Sequence, residues 1–206
     1  MTGIIYFLWK RRGRRDEKII NDVANVEEEM ILGLVKAAPQ KLRKLDYGTI
    51  VVREPKQEDK VALVSGGGSG HEPAHGGYVG EGMLDCAVAG TVFTSPTPDQ
   101  VLEGIKAVAT DKGVLCVVKN YTGDVMNFEM AIEMAADEGI KADYVVVNDD
   151  VAVKDSLYTT GRRGVAGTIF VHKNRRGQGR RRREPGRSQG RGGKGHRQRP
   201  LHGHGY

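Results

Sequence analysis

From Val61 onward, short apolar runs alternate with helix-like segments, and this alternation constrains the fold more than any other feature of the chain. The runs are Val61–Val64, Ala87–Phe93, Val114–Val118 and Tyr144–Val147. They are near-continuously apolar, as strands covered on both faces are. Between them lie two helical segments. One opens at Thr97, where Thr97 and Gln100 form a capping box and Pro98 suits the first helical position, and it runs to about Thr110. The other spans Phe128–Glu138 and is ended by Gly139. Strand and helix in alternation predict an α/β domain with a mainly parallel sheet flanked by helices. Upstream, residues 19–38 read as a helix, with Val23, Val26, Met30, Ile31, Leu34 and Val35 on one face. Asn21 or Asp22 can cap it, Pro39 marks its end, and Thr49–Val52 is a further strand candidate.

In a parallel sheet, the loops that follow the strands gather at one edge, where ligands bind. Three polar segments are placed there: 65–73, 119–124 and 148–155. The first, Ser65-Gly66-Gly67-Gly68-Ser69-Gly70-His71-Glu72-Pro73, has four glycines in five positions and reads as a loop. Glycines there let the backbone take positive φ and bring bare N–H groups close to a ligand. The spacing matches neither G-x-G-x-x-G nor a Walker A loop. His71-Glu72-Pro73-Ala74-His75 matches H-E-x-x-H by letter, but that motif needs a helix, and Pro73 with Gly76-Gly77 opposes one. No metal is expected. The acidic group Asp149, Asp150 and Asp155 also fails the EF-hand spacing.

Charge divides the chain into three. The net formal charge of +6 combines +4 over residues 1–18, −8 over 19–173 and +10 over 174–206. The six apolar residues Ile4–Trp9 cannot span a bilayer, and their charges follow rather than precede them, unlike a secretory signal. Residues 1–18 are read as a disordered basic extension. Residues 174–206 are Arg, Gly, Gln, His and Pro with little else, and cannot bury a core. Cys86 and Cys116 form no C-x-x-C pair and are expected as buried thiols of a cytoplasmic protein.

Five motifs occur in order: Ser65 to His75, Phe93-Thr94-Ser95-Pro96-Thr97-Pro98, Lys119-Asn120-Tyr121-Thr122-Gly123-Asp124, Asp149-Asp150-Val151-Ala152-Val153 and Gly161-Arg162-Arg163-Gly164. Together they resemble the substrate-binding subunit or domain of dihydroxyacetone (glycerone) kinases. The resemblance covers residues 18 to 173, about the first half of that family's kinase domain. It implies phosphoryl transfer to a hydroxyl of dihydroxyacetone or a similar triose. It matches Gly68, Ser69, Gly70, His71, Lys119 and Asp124 to substrate contacts, and His71 to the acid/base histidine. In the family the donor, ATP with Mg or a phosphorylated or nucleotide-charged partner subunit, sits on a separate subunit or domain. The present chain is expected to bind no cofactor itself. A homodimer is implied for the intact family member, with no membrane partner. The family also holds its ketone covalently through a histidine in the later half, and no histidine here matches it.

The chemistry of those positions is consistent with this. Transfer to a hydroxyl needs a base and groups that hold the acceptor in line. His71 can serve as that base, Asp124 can share that role or orient hydroxyls, and Lys119 can bind an acceptor oxygen. Asp124 can equally cap the following helix, and Lys119 can be a solvated strand end. His75 is read as packing locally, and Tyr121, Arg162 and Arg163 receive no role. The abrupt change after Lys173 suggests a frameshift or false gene end, giving a truncated, impaired kinase component that exposes an apolar face and dissolves poorly. The rival reading is an inactive fragment whose Arg/Gly-rich tail binds nucleic acid or anions. Such binding would be non-specific, since only Tyr206 could stack on a base.

Overall fold

A computed structural model describes residues 20–153, 159 and 161–179, with side chains described as far as Lys173. The extension 1–18, Asp155 and the tail from residue 180 lie outside the described residues. The strands are β1 (Leu42–Lys44), β2 (Ile50–Arg53), β3 (Ala62–Ser69), β4 (Cys86–Val92), β5 (Val114–Lys119) and β6 (Ala142–Val147). The helices are α1 (Val26–Ala37), α2 (Pro98–Val108), α3 (Thr122–Asp137) and α4 (Thr168–Gly179). They form one six-stranded sheet in the order β1-β2-β4-β3-β5-β6. β4, β3, β5 and β6 are mutually parallel, whereas β1–β2 and β2–β4 pair antiparallel. The sheet is therefore mainly parallel, as expected.

Each face of the sheet carries its own core. Ala62 and Val64 of β3, Val88 of β4 and Val118 of β5 pack with Val101, Ile105 and Phe128 of α2 and α3. Leu63, one residue out of phase, joins Ile31 of α1, Val51, Leu84 and Ala87 on the opposite face. This is the period-2 alternation of a strand placed between two helical layers. Fully burying side chains of this size is worth about 1.5–3 kcal/mol each, so both layers contribute to holding the sheet. At the amino ends of β3 and β4, Asp85 pairs with buried Lys60 and accepts the Leu63 N–H at 2.8 Å.

Several boundaries differ from the sequence reading. β3 continues to Ser69, so Gly66, Gly67 and Gly68 are strand rather than loop, and the turn begins at Gly70. They are strand because they pair with Val88, Ala89 and Gly90 of β4, and position 66 must be glycine, since a Cβ there would lie 2.5 Å from the Val88 carbonyl oxygen. α3 starts at Thr122, six residues before Phe128, so Asp124 is in its first turn rather than in a loop. Thr122, Gly123 and Asp124 are weak helix formers. Tertiary contact overrides that preference, because Gly123 packs against Ser95, whose Oγ would lie 2.9 Å from a Cβ there. The first helix begins as a 3₁₀ turn, Val23–Asn25, in which Asp22 accepts the Ala24 N–H, and Val23 is exposed rather than on the buried face. β1 and α4 were not anticipated as elements, and α4 runs across residue 174, where the composition changes.

Candidate functional site

The site lies at the carboxyl ends of β3, β4 and β5, where the sheet edge meets the β4–α2 loop and the first turn of α3. That loop folds down onto β3. A Cβ on Gly68 would lie 2.6 Å from the Thr94 nitrogen and 2.8 Å from the Phe93 carbonyl carbon, so only glycine fits. The Phe93 N–H donates to the Ser69 carbonyl at 2.8 Å, and the Ser69 hydroxyl donates to the Gly90 carbonyl at 2.7 Å. Gly70 has φ +102° beneath the Phe93 ring, a left-handed conformation that glycine adopts without penalty. Its N–H donates to the Glu72 carboxylate at 3.0 and 3.1 Å, so a ligand oxygen would reach that N–H by displacing Glu72. His71 is exposed at the rim, its ring edge-on to Phe93 at 5.3 Å between centroids.

Lys119 ends β5 and Asp124 stands on α3, five residues on, and both are buried. The Ser95 hydroxyl donates to the Asp124 carboxylate, and the Asn127 amide donates to the Pro96 carbonyl at 2.7 Å, tying the β4–α2 loop to α3. Burial raises the Asp124 pKa above the usual carboxylate value, while the Ser95 hydrogen bond, the Lys119 ammonium and His71 act against that rise. Burial lowers the Lys119 pKa, with Asp124 opposing. The Lys119 ammonium also lies 5.5 Å from the centroid of the Tyr121 ring. The result is a carboxylate more basic than usual, placed at a helix N-terminus beside a poorly solvated cation. Such a pair can accept a proton from a hydroxyl and hold its oxygen. All six sequence candidates, Gly68, Ser69, Gly70, His71, Lys119 and Asp124, thus lie on the segments that meet at this edge.

His75 packs locally, as expected, but its pairing with Ser65 escaped the sequence reading. It is buried on the α1 face of the sheet against Ser65 and close to His172 of α4, at 5.8 Å between ring centroids. The signal was the period-2 phase that puts Leu63, Ser65 and Gly67 on one face of β3, but it became legible only once 66–68 were known to be strand. Residues 71–75 form a turn, and its two histidines have different surroundings. Among the described residues no cluster of three or more His, Cys, Asp or Glu could hold a metal ion. Asp149 accepts the Val165 and Gly167 N–H groups, and Asp150 pairs with Arg163, so these carboxylates organise the 161–167 segment. No helix among the described residues is long and apolar enough to cross a membrane.

A family profile described as the Dak1 domain matches residues 32–178. The chain belongs to the Dak1 domain family. This Dak1 domain is 59% identical over 157 residues to the dihydroxyacetone-binding subunit DhaK of the PTS-dependent dihydroxyacetone kinase 1 of Listeria innocua, covering 76% of the chain and 48% of that subunit. It is 52% identical over 157 residues to the dihydroxyacetone-binding subunit DhaK of the PEP-dependent kinase of Escherichia coli, covering 76% of the chain and 44% of that subunit. Among solved structures, the dihydroxyacetone kinase of C. freundii in complex with AMP-PNP and Mg2+ aligns with a TM-score of 0.72 and 41% identity over 79% of this chain and 31% of that one. A dihydroxyacetone kinase operon co-activator, DhaQ, aligns with a TM-score of 0.70 and 40% identity over 77% of this chain and 48% of that one. The chain therefore spans about half the length of these bacterial subunits.

Proposed function

We propose that this Dak1 domain is the acceptor-binding part of a dihydroxyacetone kinase, holding dihydroxyacetone or a similar short ketose for phosphoryl transfer to its hydroxyl. The observation that carries the reading is the burial of Lys119 and Asp124 together beside the Gly68–His71 segment, each perturbing the other's proton affinity. Lys119 donates to a ketose oxygen. Asp124 accepts the hydroxyl proton, which its raised proton affinity favours, and His71 at the rim shares that transfer with solvent. Gly68, Ser69 and Gly70 shape the wall against which the ketose packs. The donor is ATP with Mg, or a phosphorylated or nucleotide-charged partner, carried by a separate nucleotide-binding subunit or domain. The complete protein is a cytoplasmic homodimer. A chain of about half the relatives' length retains the acceptor contacts and has impaired turnover.

Titration calorimetry of the full chain with dihydroxyacetone tests this. Saturable binding that is lost in Asp124→Ala and Lys119→Met, with the fold intact by circular dichroism, supports it. Binding that survives both substitutions, or no binding by the unsubstituted chain, overturns it. A second reading rests on the +10 charge of residues 174–206: non-specific binding of anions such as single-stranded RNA. It requires strong weakening by added salt, and salt-insensitive failure to bind excludes it.

A further inference from the structure

Behind Lys119, on the α1 face of the sheet, lies a buried hydrogen-bond chain to which the phosphoryl-transfer reading gives no role. Its anchor is Ser65, fully buried in β3, whose Oγ lies 2.6 Å from the Val117 carbonyl oxygen. Only the hydroxyl hydrogen can make that bond, so the oxygen is left as an acceptor towards His75 Nδ1, 3.2 Å away. The His75 proton therefore sits on Nδ1, and Nε2 carries a bare lone pair. Nε2 is buried and has no hydrogen-bond partner, a state that costs about 1–3 kcal/mol if it persists. It faces the space above Gly67: a Cβ there would lie 3.5 Å from Nε2 and 2.9 Å from the Lys119 Nζ. The lone pair and the ammonium converge on the place that glycine leaves empty.

We propose that His75 is a positioning residue whose Nε2 accepts a hydrogen bond from the Lys119 ammonium through one water in the space above Gly67, and so aims that ammonium at the ketose. The chain then runs Lys119–water–His75–Ser65–Val117 carbonyl, fixing the ammonium to the central strands. Burial is the main cause that keeps His75 neutral, and the charged and titratable groups acting on it, Lys119, His172 and His71, all push the same way. His172 is itself neutral, its pKa lowered by burial to about 4, and adds no charge at the ring. Lys119 faces Asp124 on its other side. The ammonium disfavours a metal ion at the same lone pair. The proposal rests on Lys119 being a ligand-holding group, but its test needs no ligand.

The first measurement is a long-range proton–nitrogen correlation spectrum of the 15N-labelled full chain near neutral pH. His75 is expected as the neutral Nδ1–H tautomer; an Nε2–H tautomer or an imidazolium would overturn the proposal. The second is competitive acylation of Lys119 by acetic anhydride, read by mass spectrometry over about pH 7 to 11. In His75→Leu the Lys119 midpoint should fall by about one pH unit, because the acceptor that favours the ammonium is gone. His75→Gln, which offers an amide oxygen, should restore most of it. Identical midpoints in wild type and His75→Leu refute the contact. If His75→Leu does not fold, Ser65→Ala serves instead: it frees the histidine to protonate Nε2 and should shift Lys119 in the same direction. A chain that fails to bind dihydroxyacetone sinks the proposed function and leaves these two measurements able to decide the role of His75.

Discussion

His172 gives the most quantitative handle on how α4 packs. The residue is fully buried, its ring lies 5.8 Å from that of His75 and 6.1 Å from that of Tyr78, and neither ring nitrogen has a hydrogen-bond partner. Burial lowers its pKa from 6.5 to about 4. Because the folded-state value is depressed, the unfolded chain binds this proton more readily. The stabilising contribution is complete above pH 6.5 and is lost as pH falls towards 4. With those two values, linkage gives a loss of about 2 kcal/mol between pH 7 and pH 5, and about 3 kcal/mol once both states are protonated. His172→Phe keeps an aromatic ring against Tyr78 and removes the titration. Urea unfolding of both proteins, followed by circular dichroism at constant ionic strength, should show their stability difference moving by about 2 kcal/mol in favour of the variant from pH 7 to pH 5. Groups remote from His172 that titrate in this window largely cancel in the difference. A stability difference independent of pH would refute the burial of His172, and with it the docking of α4 on β5.

Further outcomes follow from the same contacts. Gly66→Ala puts its Cβ against the Val88 backbone oxygen and should destabilise by about 1–3 kcal/mol in urea melts, whereas Gly67→Ala meets the movable end of Lys119, with His75 Nε2 at ordinary contact distance, and should melt near wild type. If Lys119 binds the ketose, Gly67→Ala should nevertheless weaken dihydroxyacetone binding about tenfold by calorimetry. The raised Asp124 pKa means that ionisation weakens the fold as pH rises above the ordinary carboxylate range. Asp124→Asn should therefore be about 1 kcal/mol more stable than wild type near pH 7 by scanning calorimetry while losing ketose binding; equal or lower stability would contradict the buried-charge account. Asp85→Ala removes the buried partner of Lys60 and the acceptor of the Leu63 N–H, and should cost about 3–5 kcal/mol in urea unfolding.

The sequence by itself determined the layer architecture. Near-continuous apolar runs such as Val114–Val118 can be satisfied only by covering both faces, and the segments between them are helical, so a mainly parallel sheet follows. It also determined the Thr97–Gln100 cap, where the Thr97 N–H does donate to the Gln100 side chain at 3.2 Å, because capping is a local interaction. Lys119 and Asp124 were legible as candidates because a polar segment that follows a strand of a parallel sheet is placed at one edge. Tertiary structure alone decided where glycine means strand and where it means turn. Gly66, Gly67 and Gly68 look like a loop in any local reading, and they are strand because they pair with Val88, Ala89 and Gly90 of β4, with the Val88 and Thr94 backbone filling the volume a side chain at 66 or 68 would need. Tertiary contact likewise drew Thr122–Asp124 into α3 through Ser95, and it set Ser65 of β3 as the partner of His75, which packs locally as expected. Those outcomes depend on which distant atoms share a volume, and that is set by packing across the sheet rather than by order along the chain.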